Sequence, residues 1–157
     1  MKNTIFYGFA VVAIGALLWI TFNARDVNES HNRVINTKNA PAPIGPYSQA
    51  VLKGNALFVS GQIAIDPASN TMDTADIVTE TKRVMNNIAA IVKEAGMNMS
   101  DVAKTTIYLT DLTVFKTVNE VYGSYFPEGG YPARETVEVQ SLPKGAHVEI
   151  SVTVIRQ

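Results

Sequence analysis

The chain opens on an uninterrupted apolar run. From Thr4 to Phe22 (TIFYGFAVVAIGALLWITF) there is no charge, while Lys2 precedes the run and Arg25 and Asp26 come after it. As a helix rising about 1.5 Å per residue, it spans about 30 Å, one hydrocarbon thickness. No polar face interrupts it, which argues against a core or surface helix. The pattern predicts a transmembrane anchor over residues 1–23. A removed signal is the alternative, but WITFNARD offers no small-x-small cleavage pattern. Lys2 on the short tail favours export of the domain, although Arg25, Arg33 and Lys38 on the far side oppose that bias. Residues 24–39 are polar and aperiodic and read as a linker, leading into a domain over 40–157.

Within the domain the period changes several times. APAPIGPYSQ, from Ala40, is an extended proline-rich lead-in. YSQAVL and ALFVSGQIAI are strand-like runs separated by Lys53-Gly54-Asn55, a hairpin signal, and DPASN ends the second. From Thr74 to Ala95 the apolar positions Ile77, Val84, Ile88, Ile91 and Val92 take helical spacing, Glu80, Lys82, Arg83 and Lys93 fall largely elsewhere, and Gly96 is placed to stop the helix. VAKTTIYLT (Val102 to Thr110) is β-branched and reads as a strand. A second helix is expected over Thr113 to Phe126, with Leu112, Phe115, Val118, Val121, Tyr122 and Tyr125 on one face and Asp111 as its cap. Strands over Ala133 to Val139 and His147 to Ile155 close the chain. The order ββαβαββ, with one apolar stripe per helix, predicts an α+β domain in which both helices cover one face of a single mixed sheet. The other face is left for solvent or for another subunit.

Alternation assigns faces in the last two strands. Val137 and Val139 oppose Arg134, Thr136 and Glu138; Val148, Ile150, Val152 and Val154 oppose His147, Glu149, Ser151 and Thr153. With the apolar sets turned to the helices, Arg134 and Glu149 share the helix-free side on neighbouring strands. Such a pair is either a surface salt bridge, contributing about 0–1 kcal/mol, or a ligand site in which the arginine fork takes a carboxylate and Glu149 holds water or moves a proton. Periodicity leaves both open.

Composition removes several alternatives. The formal net charge of −1, with no basic stripe, gives no footprint for nucleic acid. There is no cysteine, and the two histidines, His31 and His147, lie far apart, so neither a thiol nucleophile nor a histidine-rich metal site is expected.

APAPIGPYSQAV, FVSGQIAIDP, VKEAG, DVAKTTIYLTDL, VNEVY, YPARETVEV and LPKGAHVEISV, in that order, resemble the RidA/YjgF family of reactive-intermediate imine deaminases from about Ala40 onward. The resemblance implies a chorismate-mutase-like fold, a homotrimer with clefts between subunits, and cofactor-free and metal-free hydrolysis of 2-imino acids such as 2-iminobutanoate and 2-iminopropanoate to 2-oxo acids and ammonia. It assigns Arg134 to the substrate carboxylate and Glu149 to the water, together with the backbone carbonyl of Thr136. It places Tyr47, Ser60, Gly61 and Asn119 at the cleft. The alternative is a non-catalytic trimer that binds 2-oxo acids or other small carboxylates in the same cleft or acts in a chaperone-like role. The anchor departs from the family, whose typical members are cytoplasmic, and points to an exported, membrane-tethered form.

Overall fold

The computed structural model describes residues 33–156, so the apolar run Thr4–Phe22 lies outside the described residues. Among the described residues no helix is long and apolar enough to cross a membrane. Along the chain come β1 (Arg33–Ile35), β2 (Ala50–Lys53), β3 (Ala56–Gln62), α1 (Ile77–Glu94), β4 (Val102–Leu109), α2 (Phe115–Gly123), β5 (Ala133–Glu138) and β6 (Val148–Ile155). The strands form one sheet in the order β1-β2-β3-β6-β4-β5. Only β4 and β5 run parallel, joined through α2, so the sheet is mixed as the pattern predicts.

Local chemistry accounts for most of the boundaries. Lys53 pairs with Ala56 across the two-residue turn Gly54-Asn55, and Gly54 takes the positive φ of +61° that a tight hairpin needs. Asp76 caps α1 by accepting from Thr79 N at 2.9 Å. The other end closes with Gly96 N donating to Lys93 O at 2.9 Å and Met97 N to Val92 O at 3.1 Å, with Gly96 at φ +73°. Asp111 accepts from Thr113 N at 2.8 Å, capping a short 3-10 turn that runs into α2.

β1 lies in the stretch expected to be linker, so the folded unit starts earlier than Ala40. Ile35 is buried opposite Ala50, and Arg33 Nη2 donates to Ala95 O at 3.3 Å. Arg156 Nη2 donates to the same carbonyl at 2.9 Å. Two guanidinium groups thus meet the electronegative end of α1. A three-residue strand carries no readable period, and its docking depends on a helix end far away in sequence, the bond from Arg33 spanning 62 residues.

Both helices cover one face. Leu57, Val59, Ile107, Leu109, Val148, Ile150, Val152 and Val154 from the strands meet Val84, Met85, Ile88, Ile91 and Val118 in a single core. On the other face Phe58 is 51% and Val137 43% exposed. Glu80 departs from its expected place among the solvated charges: it is 1% exposed and turned inward. Its carboxylate accepts from His147 N at 2.7 Å, His147 Nδ1 at 2.9 Å and Val148 N at 3.4 Å, tying the start of β6 to α1. This also draws His147 to the helix side, away from the polar set of its strand. Glu80→Ala strands those donors and is expected to lower stability by about 2–3 kcal/mol in urea unfolding, with Glu80→Gln costing less because an acceptor remains.

Candidate functional site

Arg134 stands on edge strand β5 in register with Thr105 of β4. Thr105 is fully buried on the helix side, so Arg134 faces the same way. Its guanidinium carbon lies 5.0 Å from the ring centroid of Tyr122 and 5.7 Å from that of Phe115, both on α2. Tyr122 Oη donates to Thr105 Oγ1 at 3.0 Å. Burial raises the Tyr122 pKa against smaller opposing effects of that bond and of Arg134, which keeps the phenol a neutral donor. Arg134, Tyr122, Asn119, Tyr131 and Pro132 line a cleft of about 400 Å³. Among the described residues no carboxylate pairs with Arg134, and the buried Asn119 Oδ1 and Thr136 Oγ1 have no hydrogen-bond partner.

A second cleft, of about 350 Å³, is lined by Tyr47, Ser60, Gly61 and Glu149 with apolar walls from Ile44, Ile63 and Pro143. A bulge builds it: the register of β3 against β6 shifts between Val59 and Gln62, which re-aims Ser60 and Gly61. Ser60 Oγ donates to Ser48 O at 2.7 Å. Gly61 backs onto Glu149, and a Cβ there would stand 1.9 Å from Glu149 Oε1, so only glycine leaves room for the carboxylate. Burial pushes the Glu149 carboxyl above its ordinary pKa. Tyr47 Oη accepts from Ile44 N at 3.2 Å, which holds the ring at the cleft wall.

Arg134 and Glu149 therefore do not share a face. Val148 and Ile150 point into the helix-covered core, so Glu149 points to the uncovered face, and β4 separates β5 from β6. The expected neighbouring pair is corrected to two separate groups: Arg134 with Asn119 in one cleft and Thr136 on the same side of β5, and Tyr47, Ser60, Gly61 and Glu149 in the other cleft. The reason is the edge position of β5, where Val137 pairs with Tyr108 on the open face and remains exposed. On such a strand the apolar side chains do not mark the core side.

A family model described as endoribonuclease L-PSP matches residues 37–156. The chain belongs to the RidA/YjgF family. Its RidA/YjgF relatives include a RutC family protein of Pyrococcus abyssi, 50% identical over 124 residues that span 79% of this chain and 97% of the relative. The human 2-iminobutanoate/2-iminopropanoate deaminase is 44% identical over 124 residues, 79% of this chain and 90% of that one. Among solved structures, E. coli TdcF with bound serine superposes with a TM-score of 0.76 at 39% identity, covering 80% of this chain and 99% of that chain. The RidA/YjgF motifs thus coincide with the two clefts: PAR carries Arg134, SGQ the bulge, and VEI Glu149.

Sequence reasoning missed Gln49 and the aromatic flank of Arg134. Gln49 is buried, with Nε2 donating to Thr37 O, Ala40 O and Pro41 O at 3.0, 3.1 and 2.8 Å and Oε1 accepting from Thr37 N at 2.7 Å. It pins the lead-in that forms one wall of the Glu149 cleft. Tyr122 and Phe115 belong to a helical stripe, and spacing gives no sign that a guanidinium lies across them.

Since burial raises the Glu149 pKa, the folded state holds that proton more tightly than the unfolded chain. Stability is then lost as pH rises from the ordinary carboxylate value of about 4.3 through the raised one. Glu149→Gln is expected to be more stable than wild type at neutral pH and equal to it below pH of about 4, checked by urea unfolding at both.

Proposed function

We propose that this protein hydrolyses reactive 2-imino acids, 2-iminobutanoate and 2-iminopropanoate among them, to 2-oxo acids and ammonia in clefts formed between three copies of the chain. The observation that carries the reading is the division of complementary groups between two half-sites: an arginine without a carboxylate partner among the described residues on one face, and a carboxylate of raised pKa on the other. Neither is a complete site, and the sheet between them keeps them apart within one chain. A neighbouring copy that covers the open face brings its own half-site against the first, and in doing so shields Phe58 and Val137. The deaminase name of the human relative supports the reaction, and the serine in E. coli TdcF supports a small carboxylate ligand.

In this reading the Arg134 fork takes both carboxylate oxygens of the imino acid and fixes C2 against Glu149 of the adjacent copy. The protonated imine is already electrophilic. Glu149 accepts a proton from water as its oxygen bonds to C2, giving a carbinolamine. The same proton passes to nitrogen, the C–N bond breaks as the C=O forms, and Glu149 takes the hydroxyl proton and hands it to the departing ammonia, leaving the 2-oxo acid and ammonium. A carboxyl pKa raised by burial suits a group that takes and returns a proton in one cycle. The carbonyl of Thr136 provides a second acceptor to orient the water, and Asn119 and Ser60 offer polar contacts at the rim.

The test is turnover of freshly generated 2-iminopropanoate. Arg134→Ala and Glu149→Gln are each expected to lose activity at least about a hundredfold, within the range for removing a positioning or acid–base group. Coexpressed in equal amounts, the two inactive chains are expected to recover about a quarter of wild-type activity, a half times a half, because each site draws one half from each neighbour. Wild-type turnover by Arg134→Ala sinks the reading. Binding of 2-oxobutanoate without any turnover by wild type replaces it with a non-catalytic carboxylate-binding trimer.

We also place the domain outside the cytoplasm, tethered by Thr4–Phe22, on the strength of that uncharged run. Added protease is expected to degrade the domain in cells with a permeabilised outer envelope and an intact inner membrane. Protection equal to that of a cytoplasmic control overturns the placement.

A further inference from the structure

We propose that Phe115 and Tyr122 are positioning residues that hold the Arg134 guanidinium by its π face and so leave its N–H fork open for the substrate. This rests on the reading that Arg134 binds a carboxylate. An arginine on an edge strand has many rotamers, and ordering it on ligand binding costs affinity. The usual device for fixing it, a neighbouring carboxylate, would occupy the same fork that the substrate needs. Here two rings of α2 take that place. The guanidinium carbon lies 5.0 and 5.7 Å from their centroids, within the cation–π range of about 6 Å.

The rings are themselves held. Tyr122 is buried, packs against Phe126 at a centroid distance of 4.9 Å, and donates its hydroxyl to Thr105, the residue paired with Arg134 across β4 and β5. Arginine, ring, threonine and strand pairing close a loop through three elements. Phe115, 38% exposed, stands at the outer end of the same helix face. Asn119 lies between them, at i+4 from Phe115 and i−3 from Tyr122, with its Oδ1 buried and unpartnered beside the cleft. One face of α2 thus supplies both aromatic supports and a polar group at the position where the fork opens.

The full chain is assayed for 2-iminopropanoate hydrolysis and for binding of 2-oxobutanoate by calorimetry. Phe115→Leu is expected to raise KM and the 2-oxobutanoate Kd roughly three- to thirtyfold, the loss of a partly desolvated cation–π contact, with kcat little changed. Tyr122→Leu is expected to do the same, and Tyr122→Phe, which keeps the ring, to stay near wild type. In an Arg134→Ala background, Phe115→Leu is expected to change the Kd no further. Phe115 is at the surface, so its variant reports even where Tyr122→Leu fails to fold. Wild-type KM and Kd for Phe115→Leu, or an equal loss with and without Arg134, overturns the positioning role while Arg134→Ala inactivity leaves the functional reading standing. Full activity of Arg134→Ala removes the functional reading first, and this inference with it.

Discussion

Both helices lie on the same side of a single six-stranded sheet, so successive side chains along each strand face a packed core and an uncovered surface in turn. That constraint decides where every chemical group can stand. Val148 and Ile150 must enter the core, which sends Glu149 to the open face. Thr105 enters the core from β4, and the parallel pairing carries Arg134 to the helix side with it. One chain therefore cannot bring the two together, which is why the proposed function draws on a second copy over the open face.

Glu80, Arg134 and Glu149 are accommodated differently, and the differences track their surroundings. Glu80 is fully enclosed, with both carboxylate oxygens accepting hydrogen bonds from two backbone N–H groups and a histidine. Arg134 lies across the rings of Phe115 and Tyr122 and has no carboxylate partner among the described residues. Glu149 sits against Gly61, nothing among the described residues offsets its desolvation, and its raised pKa is the consequence. Complete satisfaction at Glu80 and incomplete satisfaction at the other two separate scaffold from candidate chemistry.

Much of the scaffold is legible in the sequence because its signals are local. Gly54-Asn55 specifies a hairpin through one positive φ, Asp76 and Gly96 bracket α1, and Asp111 caps the turn into α2. The spacing of Ile88, Ile91 and Val92 marks a buried face whatever it packs on. The features that are not legible depend on partners far away in sequence: β1 on the end of α1, Gln49 on the lead-in loop, Glu80 on the start of β6. Likeness gathers the motif residues of the candidate site as a set, yet alternation puts Arg134 on the wrong face, because an edge strand can turn a valine outward.

By itself, then, the sequence determined the order of elements from β2 onward, the single mixed sheet, the one-sided placement of the helices and the family. Those come from periodicity, caps and linked motifs, each set within a few residues. Only the tertiary structure decided that Arg134 and Glu149 face opposite ways, that the rings of Phe115 and Tyr122 flank the arginine, and that Gly61 makes room for the glutamate. The physical reason is that face, register and neighbour are properties of how strands pair, and pairing joins residues that no local pattern connects.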